Sequence, residues 1–146
     1  MRIAIGNDHG GLEYKNRLLK HLEELGHEVI NVGTDTLDSV HYPVYAKAVG
    51  ELVASKMADF GILICTTGEG IMMAANKVKG VRAGVGYADD VARLMREHND
   101  ANIIAFGEKY MEYEDVERRV DIFINTPFSN GERHALRVKM IEDLEK

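Results

Sequence analysis

The stretch Gly61-Ile62-Leu63-Ile64-Cys65-Thr66-Thr67-Gly68-Glu69-Gly70, continued by Ile71-Met72-Met73-Ala74-Ala75-Asn76-Lys77, decides how this chain is read. A short, continuous apolar run suits a strand covered on both faces. The run ends at Cys65, the single cysteine of the protein. A hydroxyl- and glycine-rich loop follows, then a helix-compatible segment. Strand, turn and helix N-terminus in that order set one thiol beside backbone N–H groups that can face an anion.

The same grammar extends in both directions. Strands are expected at Arg2–Gly6, Glu28–Val32, Gly61–Cys65, Val81–Val85 and Asn102–Phe106, each rich in Ile, Val or Ala. Amphipathic helices are expected at Tyr14–Leu25, with Gly26 as its C-terminal cap, and at Tyr45–Lys56, Asp89–His98, Glu112–Asn125 and Glu132–Glu145. Strands alternating with helices predict an α/β fold, a parallel sheet with helices on both faces. Sites in such sheets gather beyond the carboxyl ends of the strands. The segments to be read together are therefore Asn7–Gly11, Gly33-Thr34, Cys65–Gly70, Gly86-Tyr87 and Gly107-Glu108-Lys109.

With 146 residues, two prolines and no low-complexity tract, the chain reads as a single domain over residues 1–146. A formal charge of −6 argues against nucleic acid or a membrane surface as partner, though not against a small anionic substrate. No apolar run approaches a membrane span, and Met1–Ile5 reads as a strand rather than a signal peptide. One cysteine allows no intrachain disulfide, and a cytoplasmic setting, where thiols stay reduced, fits best.

Four groups of residues carry candidate chemistry. Cys65 ends a strand beside Thr67 and the turn Gly68-Glu69-Gly70. Asp8-His9 follows the first strand, where Asp8 either orients protons or simply caps the next helix. His98-Asn99-Asp100 lies before the fifth strand, on the wrong side of the sheet for Cys65 unless a second chain is involved. Arg133 and Arg137, at i and i+4 with His134 between them, either grip one phosphate or form a solvated face paired with acids. The histidines lack metal-ligand spacing, so no metal is expected. A dinucleotide loop is only weakly matched by Gly68-x-Gly70.

Taken together, six motifs resemble the ribose-5-phosphate isomerase B family and its galactose-6-phosphate isomerase relatives. They are Ile5-Gly6-Asn7-Asp8-His9-Gly10-Gly11, Ser39-Val40-His41-Tyr42-Pro43, Gly61–Gly70, Ala74-Ala75-Asn76-Lys77, Arg96-Glu97-His98-Asn99-Asp100-Ala101-Asn102 and Gly131–Val138. The resemblance runs nearly end to end. It implies a Rossmann-like three-layer sandwich with a five-stranded parallel sheet and a C-terminal helix. It also implies a homodimer with sites shared between subunits, with pairing into tetramers left open, and aldose–ketose isomerisation of a sugar phosphate through a cis-enediolate, with no cofactor.

By the same resemblance, Cys65 is the base between C1 and C2, and Thr67 handles protons on the substrate oxygens. The amides of Gly68, Glu69 and Gly70 stabilise the enediolate. Asp8 and His98 assist ring opening, and Tyr42 and Asn99 contact the sugar. His9, Lys109, Arg133, His134 and Arg137 hold the phosphate or line its pocket. Four positions depart from the family pattern. Thr66 replaces the usual glycine, His41 the usual aspartate, Lys109 the usual arginine, and Gly86 a cysteine whose loss is expected to open space. The substrate expected first is ribose 5-phosphate. A hexose 6-phosphate, such as allose or galactose 6-phosphate, is the alternative on the same site. A non-catalytic sugar-phosphate or nucleotide-binding module is the alternative of another class.

Overall fold

A computed structural model describes residues 1–146. Five strands, β1 (Arg2–Asn7), β2 (Glu28–Asn31), β3 (Phe60–Cys65), β4 (Ala83–Val85) and β5 (Ile103–Gly107), form one parallel sheet in the order β2-β1-β3-β5-β4. Six helices connect and follow them: α1 (Leu12–Glu24), α2 (Tyr42–Ala54), α3 (Glu69–Ala75), α4 (Asp89–Glu97), α5 (Tyr113–Asn125) and α6 (Glu132–Asp143). The α/β architecture and the five strands match the sequence reading.

Why the strands read as continuous apolar runs is visible in their side chains. In β1, Ile3 and Ile5 point to one face and Ala4 to the other; in β3, Ile62 and Ile64 oppose Leu63 and Cys65; in β5, Ile104 and Phe106 oppose Ile103 and Ala105. Successive residues alternate between faces, so two cores need apolar residues at every position. The first core packs the sheet against α1, α4 and α5 through Leu18, Leu22, Met95, Val116, Val120 and Phe123. The second packs it against α2 and α3 through Ala46, Val49, Val53, Ile71 and Ala75.

Helix boundaries follow local chemistry. α1 ends where Gly26 adopts φ +88°, with the Gly26 amide donating to Glu23 O and the His27 amide to Leu22 O. That is the left-handed cap expected of this glycine. α2 starts at Tyr42, three residues before the sequence expectation, because Pro43 fits the first turn, where its missing N–H is not needed. The outer edge of β4 has no strand beside it. Asn76 covers it instead: its side chain donates to Ala83 O and accepts from the Ala83 amide, both at 2.9 Å. An amide side chain thus satisfies the edge as a neighbouring strand would.

The sheet order fixes the place of the site. β1 lies between β2 and β3, and α1 and α2 cover opposite faces. The carboxyl ends of β1 and β3 therefore flank the point where the winding reverses, the crevice in which α/β sheets bind ligands. Asp8 leaves β1 on one side of that crevice and Cys65 ends β3 on the other.

Candidate active site

Around Cys65 the main chain does most of the positioning. The sulfur is buried and accepts a hydrogen bond from the Gly68 amide at 3.1 Å. Gly68 has φ +84°, a conformation that strongly favours glycine, and a Cβ there would lie 2.9 Å from the Phe106 carbonyl carbon. Thr67 Oγ1 accepts from the Glu69 amide at 3.2 Å. No group of the chain accepts from the Gly70 amide. The loop after β5 is strapped to the same turn, with the Glu108 amide donating to Cys65 O and the Lys109 amide to Thr66 O. The exposed Lys109 side chain extends from that strap.

Three further expected residues join this cluster. Asp8 is buried and its amide donates to Ile64 O, the carbonyl just before Cys65. Its carboxylate accepts from the Gly10 amide at 2.9 Å and caps a 3₁₀ turn over His9–Gly11. The capping role is therefore real, and it holds the carboxylate at the crevice. His9 Nδ1 accepts from the Val40 amide at 3.2 Å, which ties the loop before α2 to the site. The Tyr42 ring packs on the turn: a Cβ at Gly70 would come within 2.7 Å of the ring and 3.0 Å of its hydroxyl.

The remaining expected residues form a second cluster. His98 and His134 stack face to face with ring centres 4.1 Å apart. Arg133 and Arg137 are exposed on the same first turns of α6, and neither is paired with an acid. A solvated face balanced by carboxylates is thus not what the helix presents. Burial, followed by electrostatic repulsion from His98, Arg133 and Arg137, holds His134 below the usual histidine value. Asn99 is exposed beside His98. A groove at this point is lined by Gly131, Glu132, Arg133, His134 and Leu136, and includes nothing from the Cys65 loop.

The two clusters lie at opposite ends of the sheet. Gly61 pairs with Ile103 and Cys65 with Gly107, so the strands alone separate their starts from their ends by about 13 Å at about 3.3 Å per residue. His98 precedes Ile103 and belongs to the far end. The buried Arg96 and the half-buried Arg82 build that end; sequence reasoning assigned Arg96 no role beyond membership of a motif and passed over Arg82. Arg96 donates to Asp100 Oδ1, Ala101 O and Thr126 O, while Arg82 donates to Asp100 O and to the Asp100 and Glu142 carboxylates. Asp100, at φ +47°, is clamped between them, and His98 and Asn99 are held with it.

Sequence reasoning also passed over Lys15. Its side chain is fully buried and its Nζ donates to Thr34 O, Asn31 Oδ1 and the Asp35 carboxylate. Asn7 Nδ2 donates to the same Thr34 carbonyl and to Asp8 O. The loop before α2 is therefore anchored under the crevice by Lys15 and Asn7, and above it by His9. A lysine in an amphipathic helix gives no signal of burial; only the three acceptors reveal it. The departure at Gly86 is corrected: it opens no space, because a Cβ there would lie 2.6 Å from the Phe106 ring and 2.8 Å from Ile104 Cδ1. Phe106 already occupies the volume.

No group of three His, Cys, Asp or Glu side chains is arranged to hold a metal ion, and no helix is long and apolar enough to cross a membrane.

Residues 3–141 match the Ribose/Galactose Isomerase family. The chain belongs to that family. Ribose-5-phosphate isomerase B of Escherichia coli is 42% identical over 99% of this chain and 97% of its own length. The solved ribose-5-phosphate isomerase B of Clostridium thermocellum superposes with a TM-score of 0.97 at 46% identity, over 99% of this chain and 97% of that one. The Mycoplasma genitalium enzyme, solved with bound ribulose-5-phosphate, superposes with a TM-score of 0.94 at 36% identity, over 99% of this chain and 95% of that one. Membership of the ribose/galactose isomerases thus extends over the whole sheet and both clusters.

Proposed function

We propose that residues 1–146 form one isomerase domain that interconverts ribose 5-phosphate and ribulose 5-phosphate. The observation that carries the reading is the Cys65 sulfur, buried at the carboxyl end of β3 and held by the Gly68 amide beside Thr67 and Asp8. Family membership and the relative solved with ribulose-5-phosphate support the same substrate.

In this mechanism Asp8 and His98 assist opening of the sugar ring. Cys65 Sγ takes the proton from C2 of the open-chain aldose. The electron pair left behind forms the C1–C2 double bond of a cis-enediolate, and negative charge collects on O1. The Gly70 amide is free to meet that charge, while the Gly68 and Glu69 amides hold Sγ and Thr67 Oγ1 in place and contribute to the same field. Thr67 carries the hydroxyl proton from O2 to O1, and Cys65 returns its proton at C1. Two hydrogens have moved and nothing else has changed. Tyr42 and Asn99 contact the sugar, and His9, Lys109, Arg133, His134 and Arg137 supply the phosphate pocket.

The working unit is a homodimer in the cytoplasm, in which His98, Asn99 and the α6 cations of one copy face Cys65 of the other. The separation of the two clusters within one chain supports this arrangement. So does a line of exposed apolar residues, Leu136, Met140 and Leu144, at i, i+4 and i+8 along α6. The test is turnover of purified protein on a panel of pentose 5-phosphates and hexose 6-phosphates. Isomerisation of ribose 5-phosphate is expected. Turnover of a six-carbon phosphate with none of ribose 5-phosphate overturns the substrate, and no turnover of any sugar phosphate overturns the reaction.

A further inference from the structure

The Thr66 side chain of the Cys65 turn reaches across the crevice to the β1 loop. A Cβ placed on Gly10 would overlap Thr66 Oγ1 and come within 3.0 Å of the Thr66 amide nitrogen and 3.3 Å of Asp8 Oδ1. The first contact is far below van der Waals separation and the other two are tight, so the space beside Gly10 is already taken by the Thr66 hydroxyl. Thr66 is exposed, its carbonyl is fixed by the Lys109 amide, and no group of the chain pairs with its hydroxyl. The side chain therefore lies over the crevice between Cys65 and Asp8 without serving the fold through a hydrogen bond.

We infer that Thr66 is a specificity-determining residue, coupled to Gly10, that narrows the crevice and favours five-carbon over six-carbon sugar phosphates. This rests on the isomerase reading above. A phosphate grip at one end and the Cys65 sulfur at the other fix the length available to an open-chain sugar, so each added carbon must find room between them. Thr66 removes room at the Cys65 end by one branched side chain. One methylene in a pocket is worth about 10- to 200-fold in discrimination. The contact with Gly10 explains the form the pair takes: a side chain can occupy that gap from position 66 or from position 10, not from both.

The test compares kcat/KM for ribose 5-phosphate and allose 6-phosphate in wild type, Thr66→Gly, Thr66→Val, Gly10→Ala and Gly10→Ala/Thr66→Gly, with thermal midpoints for each. Thr66→Gly is expected to raise the six-to-five-carbon ratio by about tenfold or more. Thr66→Val, which keeps the bulk and loses the hydroxyl, is expected to retain the wild-type ratio. Gly10→Ala is expected to lower the midpoint more in the wild-type background than when Thr66 is already glycine, where only the tight contacts with the residue-66 amide nitrogen and Asp8 Oδ1 remain. A Thr66→Gly ratio within twofold of wild type overturns the inference while leaving the isomerase reading intact. A Thr66→Val ratio like that of Thr66→Gly also overturns it, since bulk would then not be the cause. Wild-type protein inactive on both sugars overturns the isomerase reading, and this inference with it.

Discussion

At the carboxyl ends of β1, β3 and β5 the chain is fixed by main-chain contacts. The Gly68 amide meets Cys65 Sγ, the Glu108 and Lys109 amides meet the carbonyls of Cys65 and Thr66, and the Asp8 amide meets Ile64 O. At the opposite end, side chains do the fixing: Arg96 and Arg82 clamp Asp100, and His98 stacks on His134. The first end is held rigid by main-chain contacts within one copy of the chain, which suits the proposed role of Cys65. The second presents two unpaired guanidiniums and a histidine pair outward, as a site does when its ligand and remaining walls come from elsewhere.

That contrast is broken most severely at Cys65. Cys65→Ala removes the proposed base and leaves the turn that carries it, so turnover is expected to fall by about 10³-fold. Binding of ribose 5-phosphate, measured by calorimetry, should change little. Unchanged turnover would remove the sulfur from the mechanism. The division between the ends is then tested by mixing. Cys65→Ala and His98→Ala proteins, each inactive alone, should recover about one quarter of wild-type activity after co-refolding. Random pairing makes about half of the dimers mixed, and each mixed dimer holds one intact site. Recovery close to zero would place both residues in one copy's site and contradict the shared arrangement.

A smaller effect belongs to the outward cations. Arg137→Ala is expected to raise KM for the sugar phosphate by about tenfold or more, the range of one charge-assisted contact, with kcat nearly unchanged. Inorganic phosphate, as a competitive inhibitor, should weaken in parallel. If kcat falls and KM does not, Arg137 acts on the reacting end rather than on the phosphate.

The two ends also differed in how far the sequence disclosed them. The Cys65 end was legible from residues because its parts are contiguous: an apolar strand, one thiol, and a glycine turn that needs φ > 0 at Gly68. The strands were legible because burial on two faces leaves continuous Ile, Val and Ala runs. The sheet order was not, since pairing of β3 with β1 and β5 depends on contacts distant in sequence. The far end was placed by resemblance more than by pattern. Lys15, Arg96 and Arg82 look like ordinary charged positions on a helix or before a strand, and the burial of the first two and the partial burial of Arg82 depend on carbonyls and carboxylates that only the fold brings near. Asn76 likewise shows no sign in sequence that it covers an edge.

The smallest predicted effect concerns Glu108, which joins the main-chain strap to α1. Its carboxylate accepts from the Tyr14 amide at 2.7 Å, in the first turn of that helix. Burial raises its pKa above the ordinary 4.5, against the lowering effect of the Tyr14 hydrogen bond, and the nearby Glu13 and Asp8 carboxylates raise it further. A raised carboxyl binds its proton more tightly in the folded protein than in the unfolded chain. Its stabilising contribution is therefore complete below pH 4.5 and is lost as pH rises through the folded value. Glu108→Gln keeps an oxygen for Tyr14 and carries no charge, so it lacks this loss. Its thermal midpoint relative to wild type should rise between pH 4 and pH 7, by about a few degrees or less. A difference that stays constant across that range would mean that Glu108 does not feel the burial and the Asp8 charge that set it apart from the exposed acids.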